Sequence, residues 1–388
     1  MTSLFKRITR TLSLLVTVTK TIWRGEGLAR LKAVNSLFDE EKIVHNFSNM
    51  NAAFFNVELD HGGGPIAPLP TGPEMTMPSG YAGWVKTRNV TSMLVLRHSE
   101  IIHQAYYLGT GQDDRRISWS IAKSYLSALF GILVDEGAIA SLDDPVVKYV
   151  PRLIGGAYDD ANVRDVLQMS SGITFNEDYL DYDSDINQMG RVLALGEKMD
   201  DFAANLTKTF APAGQQWEYT SIDTHVIGMI ARGATGRSIT ELMSEKIISK
   251  LGQEQAPYYV TDGIGVAFVL GGLNITTRDY ARFGQMILQN GQWNGQQIVP
   301  ADWIAQSTCG SAKTAAGEFG YGYQWWVPVG AKKGQEFMAR GIYGQYIYID
   351  KTAGVVIVST GADRTFRDDG VIDQNIEMFR QIATANKE

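Results

Sequence analysis

The sequence predicts an α+β fold, an antiparallel sheet flanked by helices, with a mostly helical lobe inserted into it. Three observations predict it. Runs rich in β-branched and aromatic residues lie toward both ends of the chain: Met93-Leu94-Val95-Leu96 and Ile101 to Tyr107, then Tyr346-Ile347-Tyr348-Ile349 and Val355-Val356-Ile357-Val358. The stretch from about Leu142 to Gly263 reads instead as helices and loops separated by turn residues. Distant strands of one kind with helices between them complete a single sheet. The expected units are an N-terminal arm and connector over 1–80, a sheet domain over 81–141 and 264–388, and a helical domain over 142–263.

Composition sets the frame. The chain has 388 residues, of which 44% are hydrophobic and 20% charged, enough to bury a large core without disulfide or metal staples. Its net charge is −7 and it has no long basic run, so nucleic acid is not an expected partner. A single cysteine, Cys309, leaves no internal disulfide and fits a cytoplasmic location. A periplasmic or membrane-associated location through the N-terminal arm is the alternative.

The elements follow in order. Lys6, Arg7 and Arg10 precede a short apolar run, Leu12 to Val18, too short to span a bilayer. Residues 1–25 are expected to form a surface helix, with peripheral membrane contact or an export signal as the other readings. His61 to Gly80 is dense in Gly and Pro and reads as a connector. Two strands joined near His98-Ser99-Glu100 come next. From Ser120, apolar residues Ile121, Ala122, Tyr125, Leu126, Leu129, Phe130 and Leu133 recur at helical spacing, and Gly137 supplies the stop. Asn176 to Asp185 is a polar, acidic loop. A helix capped near Thr277 runs to Gly291. The strands Tyr346–Ile349 and Val355–Val358 flank the turn Asp350–Gly354, and a helix over roughly Ile372–Ala383 closes the chain.

The chemistry is found by elimination and then by context. Gly-x-Ser-x-Gly, His-Glu-x-x-His, a P-loop and Cys-x-x-Cys are all missing. The five histidines, His45, His61, His98, His103 and His225, show no ligand-like pairing, so each reads as a surface or hydrogen-bonded structural residue and no metal is expected. What remains is Ser-x-x-Lys. On a helix these two side chains share a face, and a desolvated, neutral lysine can take the serine proton. The positive end of the helix favours the negative charge that develops. Chance gives about one such sequence in a chain of this composition. Two occur, Ser3-Leu4-Phe5-Lys6 in the basic arm and Ser120-Ile121-Ala122-Lys123 at a helix start.

A lysine base commonly works with a tyrosine that relays protons. Three Tyr-x-Ser sequences occur. Tyr125-Leu126-Ser127 lies in the core face of the same helix, and Tyr182-Asp183-Ser184 lies in the acidic loop. Tyr219-Thr220-Ser221 follows the turn Pro212-Ala213-Gly214 and precedes an apolar helix, a rigid setting that can hold a side chain over a cleft.

Ser120-x-x-Lys123 followed by Pro-Ala-Gly-x-x-Trp-x-Tyr219-x-Ser221 resembles the first two motifs of the serine β-lactamase-like superfamily, the class C β-lactamases, penicillin-binding DD-peptidases and related esterases. Gly271 to Gly284 and Trp293 to Trp303 are similar to its later segments. Asn176-Glu177-Asp178-Tyr179, Gln324-Trp325-Trp326 and Gly341-Ile342-Tyr343-Gly344-Gln345 resemble the branch of 6-aminohexanoate-dimer hydrolases. The likeness covers about residues 80 to 385.

The resemblance implies a serine hydrolase that cleaves a small-molecule ester or amide through an acyl-enzyme on Ser120, with Lys123 as base and Tyr219 as relay. It implies an oxyanion hole from the backbone N–H groups of Ser120 and Ile342, substrate contacts at Tyr179, Ser221, Tyr343, Gly344 and Gln345, and no cofactor. The bland readings are a helix cap for Ser120, a solvated helix-face lysine for Lys123 and a cleft-wall tyrosine for Tyr219. Trp325 and Trp326 are expected to pack rather than to form a substrate platform. The chain departs from the family at its third motif, Lys-Thr-Gly. Lys313-Thr314-Ala315 and Lys351-Thr352-Ala353 fall in a polar loop and a hairpin turn, and the expected counterpart is Ile342-Tyr343-Gly344, without the lysine. The other class that fits is a penicillin-binding sensor or DD-peptidase-like protein that acylates with little turnover. Ester, linear amide, β-lactam and D-amino peptide all stay open as substrates, as does the oligomeric state.

Overall fold

The computed structural model describes residues 27–385. The basic segment expected at residues 1–25 lies outside the described residues, as does Ser3-Leu4-Phe5-Lys6. No helix among the described residues is long and apolar enough to cross a membrane.

Thirteen strands form three antiparallel sheets among the described residues. They are β1 (Asn56–Glu58), β2 (Val90–Arg97), β3 (Glu100–Tyr106), β4 (Arg116–Ile117), β5 (Tyr258–Val260), β6 (Leu273–Ile275), β7 (Gln292–Trp293), β8 (Gln296–Gln297), β9 (Gly320–Tyr321), β10 (Trp326–Val327), β11 (Glu336–Gly341), β12 (Gln345–Asp350) and β13 (Val355–Gly361). The main sheet has the order β3-β2-β13-β12-β11-β10-β9, a smaller one β1-β5-β6-β4, and β7 pairs with β8. The chain's two ends therefore meet at the β2–β13 pairing, where Val95 faces Ile357 and Leu94 faces Val358. This is the sheet built from distant segments that the strand pattern implies.

Five longer helices matter for the site: α1 (Ile121–Asp135), α2 (Asp185–Leu195), α3 (Ser221–Thr235), α4 (Thr277–Leu288) and α5 (Val371–Thr384). The α1 sequence is apolar on every face, and all its residues from Ile121 to Leu133 are buried; such a helix can only run through a core. α4 packs on one face of the main sheet. Its Gly284 permits the approach, since a Cβ there would sit 2.6 Å from Val356 and 2.9 Å from Ile347. The cap of α4 is Thr276, which accepts from the Asp279 N–H, one residue before the expected hydroxyl. α5 covers the opposite face, with Phe379 edge-on to Tyr346 at 5.2 Å. Helices thus cover both faces of an antiparallel sheet.

The N-terminal segment departs from the expectation of an arm set off by a connector. Leu37, Ile43, Phe47, Met50 and Phe54 are buried in the same core as α1 and α3, and β1 pairs with β5. The Gly/Pro-rich stretch therefore follows a segment that the main core has already claimed.

Candidate active site

Ser120 stands at the N-terminal end of α1, half-buried, and its side chain makes no cap hydrogen bond. Trp119, immediately before it, holds a left-handed backbone with φ 43°. A bulky residue rarely adopts this conformation, which costs on the order of 1–3 kcal/mol. The bend turns the chain from β4 into α1 and leaves Ser120 at the positive end of the helix, at the mouth of a cleft.

Lys123 lies one helical turn on and is only 1% exposed. Burial lowers its pKa to about 7, while the charges of Glu177 and Asp223 oppose that shift. Its amine donates to Ser221 Oγ at 3.0 Å and lies 5.3 Å from the centre of the Tyr219 ring. The hydroxyl, amine and phenol expected from two separate stretches of chain thus gather in one place. Burial pushes the Tyr219 phenol above its ordinary range and Glu177 adds to the rise; the neighbouring Ser120 and Ser221 hydroxyls and Arg340 pull it back. At neutral pH Tyr219 is a phenol, able to donate a proton, and Lys123 is in part a free amine, able to accept one.

Sequence reasoning missed two carboxyl groups here. Glu177, from the acidic loop, accepts the Ser221 N–H at 2.9 Å, the Ser221 hydroxyl and the Tyr179 hydroxyl. It caps α3 and holds Ser221 toward the lysine. Its neighbours in Asn176-Glu177-Asp178-Tyr179 carried a resemblance, but nothing local says that the loop folds back onto α3. Asp223 is fully buried below Lys123. Its Oδ1 accepts from Tyr158 and Ser171, both at 2.8 Å, while Oδ2 has no protein partner among the described residues. Burial raises its pKa to about 7; Ser171, Tyr158 and Lys123 act in the opposite direction. In the sequence Asp223 reads only as a favourable acid in a first helical turn.

Gln324 fixes α1 against α3. It is buried with φ 64°, accepts from Thr224 at 2.7 Å and donates to the Leu167 carbonyl at 2.9 Å. Its own carbonyl accepts from Ser124 at 2.7 Å. One glutamine thereby ties α1, α3 and the segment at Leu167 together.

The strand beside Ser120 is β11. A Cβ at Gly341 would sit 2.6 Å from the Ser118 carbonyl and 3.1 Å from the Ser120 nitrogen, so only glycine fits this approach. Ile342 follows and lines the cleft with Ser120. Its carbonyl is held by Gln345 Nε2 at 3.2 Å, and neither its N–H nor that of Ser120 donates to a protein acceptor among the described residues. Two backbone donors are thus free next to the serine hydroxyl.

The structure does not bring Tyr343, Gly344 and Gln345 to the cleft. Tyr343 turns away with φ 60° and stacks on Phe38 at 4.9 Å. Gly344 makes the hairpin turn, and Gln345, 1% exposed, binds the Tyr343 and Gly361 carbonyls. The segment apposed to Ser120 is accordingly Arg340-Gly341-Ile342, at the end of β11, rather than Ile342-Tyr343-Gly344. Tyr179 and Ser221 do line the cleft. Trp325 packs in the core between Phe283 and Phe337, whereas Trp326 lies 5.1 Å from the Tyr219 ring in the cleft wall. His225 is buried against Asp200, a structural pairing, and no cluster of three or more His, Cys, Asp or Glu suited to a metal ion exists among the described residues.

Two spaces meet at Ser120. One is lined by Glu177, Asp178, Glu218, Tyr219, Arg340 and Arg367 and is strongly charged. The other is apolar. A nucleophile at their junction can attack a carbonyl whose two substituents lie one in each.

The Beta-lactamase family model matches residues 86–372. The 6-aminohexanoate-dimer hydrolase of Paenarthrobacter ureafaciens is 32% identical over 281 residues, covering 69% of this chain and 71% of that one. Among solved structures, a candidate 6-aminohexanoate-dimer hydrolase from Bacillus anthracis superposes with a TM-score of 0.79 at 24% identity, over 89% of this chain and 95% of that one. A class C beta-lactamase superposes with a TM-score of 0.58 at 16% identity, over 79% and 94%.

Proposed function

The chain belongs to the beta-lactamase family, and on that premise we propose that it is a serine hydrolase which cleaves an ester or amide bond through an acyl-enzyme on Ser120. The observation that carries the reading is the buried Lys123, one turn from Ser120, with its pKa lowered to about 7 and its amine held 3.0 Å from Ser221. An exposed lysine would be protonated at neutral pH and could not act as a base.

In the first step Lys123 accepts the Ser120 proton as Oγ bonds to the substrate carbonyl carbon. The oxyanion is received by the N–H groups of Ser120 and Ile342, at the positive end of α1. The bond to the leaving alcohol or amine then breaks as Tyr219, kept as a phenol, passes a proton to it and recovers one from Lys123. In the second step water attacks the acyl carbon, and the same groups return Ser120 to its hydroxyl. Ser221, fixed by Glu177, keeps the lysine amine in place between events. This chain's own residues suffice for every step.

The substrate panel that tests the reading sets p-nitrophenyl esters, nitrocefin and a linear 6-aminohexanoate dimer side by side. Steady turnover of an ester or the linear amide, lost in Ser120→Ala with an unchanged melting curve, is the expected result. A persistent covalent adduct with a labelled penicillin and no turnover of any of the three would instead mark a protein that acylates without release.

A further inference from the structure

We propose that the apolar pocket beside Ser120 receives the acyl chain of the substrate and that Gly190 sets how long that chain can be, so that the preferred substrates carry an uncharged aliphatic acyl group. The inference rests on Ser120 being the nucleophile and adds the substrate class.

The pocket has apolar walls from three distant segments: Leu37 and Phe38 from the N-terminal part, Ile186 and Leu193 from α2, and Phe268 and Leu270 from the loop before β6. No charged residue lines it among the described residues. Among its polar groups other than Ser120, the Asn187 Nδ2, the Tyr179 hydroxyl and the Ser221 hydroxyl already have partners, while the Trp119 indole N–H is buried without one among the described residues. Asn187 donates to the Tyr179 carbonyl at 3.1 Å and the Asp181 carbonyl at 2.7 Å, the Tyr179 hydroxyl donates to Glu177, and Ser221 is held between Lys123 and Glu177. A terminal ammonium or carboxylate entering here would be desolvated without a counter-charge.

The direction follows from Tyr219. It lines the charged space and not the apolar one. The leaving group, which takes its proton from Tyr219, therefore lies on the charged side, and the acyl group lies on the apolar side.

Gly190 is the unexpected element. Ile186, Gly190 and Leu193 lie on one face of α2, at spacings of four and three, and all three line the pocket. A Cβ at Gly190 would meet nothing within 4 Å. Glycine inside a helix is less favourable than alanine, and no close approach requires it here. What its missing side chain provides is space in the pocket.

The test is kcat/KM for p-nitrophenyl acetate, butyrate, hexanoate and octanoate, with p-nitrophenyl 6-aminohexanoate as the charged partner of the hexanoate. Each methylene that enters the pocket is expected to raise kcat/KM by about three- to fourfold, and the 6-aminohexanoate is expected to be at least tenfold poorer than the hexanoate. In Gly190→Leu the octanoate-to-acetate ratio should fall at least tenfold. Gly190→Ala, with a melting temperature no lower than the parent's, shows that the position tolerates a side chain. A flat or falling chain-length series, a 6-aminohexanoate as good as the hexanoate, or a Gly190→Leu variant that loses acetate and octanoate equally overturns the proposal. Ester turnover that survives Ser120→Ala would overturn the underlying reaction as well, whereas acetate turnover that needs Ser120 but ignores chain length overturns the pocket alone.

Discussion

The Lys123 amine donates to the Ser221 hydroxyl at 3.0 Å, and that hydroxyl in turn donates to the Glu177 carboxylate. The lysine is thus held by a residue two places after Tyr219. Both Tyr219 and Ser221 sit where the acidic loop folds against the start of α3. Loop, helix start and α1 form one connected unit.

The pH dependence follows from the lysine. With its pKa near 7, kcat/KM for an ester should rise with unit slope below about pH 7 and level off above it. A rise continuing to about pH 10, where an ordinary lysine titrates, would contradict a buried base.

Removing the Glu177 charge should move that limb. The carboxylate raises the Lys123 pKa, so Glu177→Gln should shift the acidic limb to lower pH while reducing kcat. Asp223→Asn should shift it the same way, since Asp223 also favours the protonated amine. A purely structural role for either residue would change rates and leave the midpoint where it was.

Lys123 also weighs on stability. Its folded pKa, about 7, lies below its unfolded value near 10.4, so between these pH values the unfolded chain binds more protons and stability falls as pH drops. Below about pH 7 the penalty is complete. Lys123→Met should therefore raise the melting temperature, most at and below pH 7 and least near pH 10, while abolishing turnover. Calorimetry across that range would read both ends.

Gly341→Ala tests the approach of β11 to the nucleophile. The added methyl would sit 2.6 Å from the Ser118 carbonyl, forcing β11 and the segment Ser118–Ser120 apart. If the Ser120 and Ile342 N–H groups receive the oxyanion as proposed, displacing one costs about 10²- to 10³-fold in kcat, so a large loss in kcat with little change in KM is expected from steady-state kinetics.

Some of this was legible in the sequence because it is local. Ser120 and Lys123 share a helix face, and the strands near both ends of the chain carry β-branched and aromatic runs that meet in one sheet through the β2–β13 pairing. Ser221 and Tyr219 travel together in one short motif. Glu177, Asp223 and Gln324 were not legible, because their roles arise only when a loop, a helix start and a distant turn pack together. The resemblance puts Tyr343, Gly344 and Gln345 in the cleft with Ile342-Tyr343-Gly344 as the third motif, two residues beyond the segment Arg340-Gly341-Ile342 that meets Ser120. The Gly/Pro run at 61–80 suggested a separation that the core does not respect, since Leu37 to Phe54 had already packed beside α1.

The central claim is the covalent acyl-serine. Acid-quenching a p-nitrophenyl ester reaction and measuring intact protein mass should show a gain equal to one acyl group, on a peptide containing Ser120 and absent in Ser120→Ala. Full ester turnover by Ser120→Ala, with no acylated peptide in the parent protein, would contradict it.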